Sequence, residues 1–120
     1  MNRRVLAAVG DLFFASKIRG TAEALNVSVD FARTADSLFD AAKIDVPSLI
    51  ILDLQSTSAD AVTLAARLKA DERLARVPLV GFFSHVETEL QRRAEDAGVD
   101  YVMPRSLFTR RLPEILRGEL

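Results

Sequence analysis

The sequence predicts an α/β domain in which a five-stranded parallel sheet is covered by helices on both faces, a three-layer sandwich. Three observations carry this. The apolar runs Val5–Val9, Leu49–Leu52 and Val77–Phe83 are nearly continuous, as in strands buried on both faces. The segments between them repeat apolar residues at helical spacing. The connections are only a few residues long, and strands alternating with helices through short loops build a parallel sheet.

Each element has its own signal. Val5–Val9 stops at Gly10-Asp11, and Phe14, Ile18, Ala22 and Leu25 then mark a helix that tolerates Gly20 in its interior. Val27, Val29 and Phe31 alternate with Ser28 and Asp30, the period of a strand. Thr34 is placed to cap a second helix carrying Leu38, Phe39 and Ala42 on one side. Ser48–Asp53 is the third strand, followed by a helix marked by Ala61, Leu64, Ala65 and Leu68. Val77–Phe83 begins beside Pro78, where a missing N–H is tolerated. Ser84 and Glu87 have the spacing of a capping box opening a fourth helix marked by Val86, Leu90, Ala94 and Ala97, which Gly98 ends. Val99–Met103 is the fifth strand, and a short last helix starts at Ser106 and restarts at Pro113.

Right-handed crossovers leave few ways to arrange five such units, of which the flavodoxin-like order 2-1-3-4-5 is the common one at this length. Strands one and three are then neighbours, and ligands bind where the strand order reverses, at the carboxyl ends. Asp11 and Asp53 both fall there. Paired acids at such an edge suit a hard divalent cation such as Mg²⁺. They equally suit a plainer role, capping the turns or helices that follow.

Composition excludes several classes. The chain has 120 residues, about half of them apolar, enough for one domain with a proper core. A net charge of −1 with both signs dispersed gives neither a nucleic-acid surface nor a polybasic membrane patch. The absence of cysteine removes disulfides and thiolate metal sites and fits a reducing compartment. The apolar run after Arg3-Arg4 is too short for a signal peptide core or a membrane span, so a cytoplasmic protein is expected.

The stretch LIILDLQSTSADA, with YVMPRS and AEDAGVDYV, resembles the receiver domains of two-component response regulators over the whole chain. The resemblance implies that Asp53 accepts a phosphoryl group from a histidine kinase. It also implies that Asp11, Asp53 and the backbone carbonyl of Gln55 hold Mg²⁺, and that Arg105 stands where the family has lysine. Phosphoryl transfer to a carboxylate is governed by charge, which explains both the metal and the cation.

Several positions depart from the family's pattern. Gly10 replaces one of two adjacent acids, which should weaken Mg²⁺ binding. Phe83 stands at the hydroxyl position that ends strand four, and Val102 stands at the aromatic position of strand five. Ser84, one residue on, could supply the hydroxyl if the strand shifted, although the capping box is the better use for it. Tyr101 should point to the opposite face from Val102. An arginine is not a conservative replacement for a lysine at a tight site. Arg105 could bind a phosphoryl group, or it could pair with Asp53, replace the metal and depress the Asp53 pKa. The changed switch positions favour this second role, an Asp53 that is a strut. His85, the single histidine, is either a proton-responsive lid or a solvated first-turn residue. Leu12, Phe13 and Phe14 form an apolar cluster after Asp11, and Phe13, which no helical pattern explains, together with Phe82 or Phe83 either shields the pocket or forms a partner-binding patch.

The expected function is a stand-alone receiver-like signalling domain with no output domain, acting through protein–protein contacts with a histidine kinase or another signalling protein. It is not an enzyme beyond turnover of its own phosphoryl group. The alternative is a phosphorylation-independent pseudo-receiver that serves as an interaction or homodimerisation module. A small flavodoxin-like cofactor enzyme is disfavoured because VGDLFFASK lacks a phosphate-binding nest, and a haloacid-type phosphatase because Phe13 stands where a second acid is needed.

Overall fold

Strands β1 (Arg4–Ala8), β2 (Ser28–Phe31), β3 (Leu49–Asp53), β4 (Leu79–Phe83) and β5 (Tyr101–Pro104) hydrogen-bond in parallel in the order β2-β1-β3-β4-β5. The computed structural model describes residues 3–56 and 60–120, so Thr57, Ser58 and Ala59 of the receiver-like stretch lie outside the described residues. Helices α1 (Leu12–Ala24), α2 (Ala35–Ile44), α3 (Ala61–Ala70) and α4 (Thr88–Asp96) connect the strands, and α5 (Arg105–Arg110) and α6 (Leu112–Arg117) follow β5. The predicted strand order is the one observed.

The continuous apolar runs are used on both sides, because successive side chains of a strand face opposite ways. Val5, Ala7, Leu49, Ile51, Val80 and Phe82 pack against α1, α5 and α6. Leu6, Ala8, Ile50, Leu52 and Leu79 pack against α2, α3 and α4. The largest side chains of the first layer are three phenylalanines, with ring centroids 5.1 Å apart for Phe14–Phe82 and 4.8 Å for Phe82–Phe108. In the second layer Leu54 lies so close to Gly81 that a Cβ there would come within 2.9 Å of it. Any side chain at position 81 of β4 would therefore require the Leu54 side chain to shift.

Capping sets most helix starts. Asp11 accepts from the amides of Phe13 and Phe14 to open α1, Thr34 and Ser37 form a reciprocal capping box at α2, and Asp60 accepts from Thr63 at α3. The fourth helix differs from expectation. It begins at Thr88 with Glu87 as its N-cap and no side-chain cap bond, so Ser84 and Glu87 do not form a capping box, and Val86, expected on the helix, precedes it and is exposed. The reason is that Ser84 and His85 belong to a loop whose amides are already engaged by Gln55. Pro113 sits in the first turn of α6, where its missing N–H is harmless.

Candidate functional site

Asp53 is the last residue of β3 and is partly buried between β1 and β4. Its Oδ1 accepts the Gln55 backbone N–H at 3.0 Å, and no second hydrogen bond reaches the carboxylate among the described residues. Burial raises its pKa. The Gln55 bond and the positive charge of Arg105 act in the opposite sense without cancelling the rise, and the charge of Asp11 adds to it. Asp11 lies at the same edge with the opposite shift. The Phe14 amide leads in lowering its pKa, and the Arg105 guanidinium and Phe13 amide assist.

Arg105 decides the character of this edge. As the first residue of α5 it reaches back so that Nη2 donates to Asp11 Oδ2 at 3.2 Å, with the guanidinium carbon 3.9 Å from the centre of the Phe14 ring. The arrangement expected from sequence, with Arg105 paired to Asp53 and depressing its pKa, is not found. The guanidinium is held over Phe14, and from there it meets the Asp11 oxygen that α1 leaves free. Asp53 is influenced by Arg105 only through its field. The strut is thus Asp11–Arg105.

Gln55 has a role that sequence reasoning missed. Its Oε1 accepts from Ser84 N at 2.7 Å and His85 N at 3.0 Å, while Nε2 donates to His85 O at 2.7 Å and approaches Glu87 Oε2 at 3.3 Å. A polar residue two positions after a strand-ending acid is the signal the sequence offers, and the resemblance assigns a role only to its backbone carbonyl. Phe83, at the expected hydroxyl position, is buried, and Ser84 is exposed with its amide turned to Gln55. Val102 packs on the α2–α4 side while Tyr101 is exposed, so the two point to opposite faces as expected. His85 is exposed.

Leu12 and Phe13 project from the first turn of α1, 83% and 91% exposed. Phe13 therefore does not shield the carboxylates, and Phe14 is the member of the pair that enters the core. Beside them a cleft of about 650 Å³ runs between α1 and the β2–α2 connection, lined in part by Leu12, Phe31, Arg19 and Arg33.

Comparison with known proteins places this geometry. No protein-family model matches the chain. Over 78 residues, 65% of the chain, it is 33% identical to a gliding motility regulatory protein of Myxococcus xanthus, and it spans about a tenth of that relative's length. It superposes on the chemotaxis response regulator CheY4 of Vibrio cholerae with a TM-score of 0.85 at 13% identity, covering 100% of both chains. The fold is that of response-regulator receiver domains. Another receiver domain, from a sensor histidine kinase of Pseudomonas aeruginosa, superposes with a TM-score of 0.85 at 15% identity, covering 98% of this chain and 97% of that one. That structure carries a magnesium ion coordinated in its active-site cleft.

The receiver fold raises the question of a metal: Asp53 Oδ2 accepts no hydrogen bond among the described residues, but the other donors at this edge are largely engaged, so a divalent ion would be held weakly. Hard cations need several oxygen ligands. Asp11 spends Oδ1 on two backbone amides and Oδ2 on Arg105, and Gly10 contributes no side-chain oxygen. Among the described residues no three acidic or histidine side chains converge on one point. Among those residues, too, no helix is long and apolar enough to cross a membrane.

Proposed function

We propose that this chain is a receiver-type signalling domain in which Asp53 is the phosphoacceptor and which acts by presenting a surface to a partner protein. The observation that carries the reading is the half-buried Asp53 carboxylate at the switch point of the sheet, with Oδ1 anchored by Gln55 and no hydrogen bond to Oδ2 among the described residues. A carboxylate whose pKa is raised by burial is more basic and a better nucleophile when ionised. In the transfer, Asp53 Oδ2 forms a bond to phosphorus as the bond from phosphorus to the donor's leaving atom breaks. The leaving group keeps the electron pair and takes up a proton from solvent. Arg105 is the cation at this edge, and its field opposes the charge gathering on the phosphoryl oxygens.

A second reading is favoured by the Asp11–Arg105 pair, which occupies both groups in the resting domain. On that reading the domain is a pseudo-receiver that signals without phosphorylation, as an interaction or homodimerisation module. In either case the exposed Leu12 and Phe13, beside Arg19 and Arg33, suit a protein partner that offers apolar side chains and carboxylates, such as a histidine kinase or another signalling protein.

Intact-mass measurement after incubation with acetyl phosphate, with and without Mg²⁺, separates the readings. Stoichiometric gain of one phosphoryl group, absent in Asp53→Asn, is the expected result. No gain under either condition assigns the pseudo-receiver.

A further inference from the structure

Two positions through which the resemblance would couple Asp53 to the rest of the domain, the strand-four hydroxyl and the strand-five aromatic, are Phe83 and Val102 here, and Phe83 is buried. Another covalently short path is present. The backbone N–H of Gln55 donates to Asp53 Oδ1, and the side chain of the same residue is bonded to Ser84, His85 and Glu87. Glu87 is the N-cap of α4, and α4 has no side-chain cap of its own. One residue therefore touches the carboxylate with its main chain and the entrance of α4 with its carboxamide.

From this geometry we infer that Gln55 is a positioning residue that holds the β4–α4 loop and couples the Asp53 carboxylate to the first turn of α4. The chemistry of a carboxamide explains why glutamine suits the place. Its oxygen accepts from two successive amides, Ser84 and His85, while its nitrogen donates to the His85 carbonyl and faces the Glu87 carboxylate. A glutamate would retain the acceptor, lose the donor and set two negative charges against each other. An alanine would lose both, and the amides of Ser84 and His85 would be left to solvent.

Coupling then has a defined mechanism. Any change at Asp53 that alters its bond to the Gln55 N–H moves the Gln55 backbone. Its side chain, fixed at the far end by four contacts, carries that displacement into the loop and so to Glu87. The inference takes from the receiver reading only the idea that Asp53 is where the signal enters, and it does not require Asp53 to be phosphorylated.

The test is residue-resolved amide hydrogen exchange by NMR on the intact chain. In Gln55→Ala the Ser84 and His85 amides are expected to exchange about tenfold faster or more, roughly the factor one net hydrogen bond supplies. In Gln55→Glu those two amides stay protected while the first turn of α4 loosens. Asp53→Ala, which removes the acceptor, should speed exchange from Ser84 into the first turn of α4, and this response should vanish in the Gln55→Ala background. Asp53→Asn keeps an acceptor oxygen and serves as the folded reference, with a loop like that of the unmodified chain. Exchange of Ser84 and His85 at the unmodified rate in Gln55→Ala overturns the inference. So does an Asp53→Ala response of equal size with and without the Gln55 side chain. Failure of acetyl phosphate to label Asp53 would overturn the phosphoacceptor reading and leave these exchange results unaffected.

Discussion

Arg105 and Asp11, 94 residues apart in the chain, form an ion pair at 3.2 Å that is stacked over Phe14. This pair leaves Asp53 free of a direct cation contact, and the two acids of one sheet edge shift in opposite directions because the Phe14 amide leads in lowering the Asp11 pKa while burial raises that of Asp53. Substituting Arg105 by alanine should raise the pKa of both carboxylates, since its charge lowers each. Carboxyl-detected NMR titration checks this, and a shift confined to Asp11 would show that the field of Arg105 does not reach Asp53.

The pH dependence of stability should differ in sign between the two acids. Asp53 has a raised pKa in the folded state, so between its unfolded and folded values the native protein holds a proton that the unfolded chain has lost. Its contribution to stability therefore declines as pH rises through that window. Asp53→Asn abolishes this decline, and should be neutral or stabilising at neutral pH. Asp11 has a lowered folded pKa, so its contribution is present above the unfolded value and is lost as pH falls through the folded one. Asp11→Asn should destabilise at neutral pH and much less in acid. Thermal melts of both variants across pH 3 to 8, roughly the range over which carboxylate linkage acts, decide the matter. A large destabilisation by Asp53→Asn at neutral pH would contradict it.

Mg²⁺ should bind weakly to the unmodified chain and more tightly to Gly10→Asp. The substitution is sterically open, because a Cβ at Gly10 meets nothing closer than Ser56 Oγ at 3.5 Å, and Gly10 is not among the positive-φ glycines. It would add the side-chain oxygens that the edge lacks. Calorimetric titration reads the change, and equal affinity in the two proteins would show that the missing acid is not the cause.

Adjacent phenylalanines should behave oppositely. Phe14→Ala empties a site between Phe82, Phe108 and Arg105 and is expected to cost about 3–5 kcal/mol. Phe13→Ala, at a position 91% exposed, should fall within about 0.5 kcal/mol of the unmodified chain. Denaturant titration of the two variants provides the comparison.

Much of this molecule is written in near-neighbour patterns. The runs Val5–Val9 and Leu49–Leu52 determine strands buried on both faces, because continuous apolar character leaves no face for water. Thr34 determines a helix start through a bond that spans only three residues. The meeting of Asp11 and Asp53 at one edge follows from strand order, which handedness restricts to few choices. Pairing within that edge was not legible. Whether Arg105 takes Asp11 or Asp53 depends on where α5 begins, on how far a long side chain reaches, and on the Phe14 ring that holds its guanidinium. The Gln55 carboxamide, likewise, meets residues 29 to 32 positions away only after β3 and β4 have paired. Periodicity and the Thr34 cap arise from sterics and hydrogen bonds within a turn or two, so the sequence by itself determined them, whereas the Ser84–Glu87 spacing was overridden by the distant Gln55. The choice among charged and polar partners turns on ångström differences between elements far apart in the chain, and only the tertiary structure decided it.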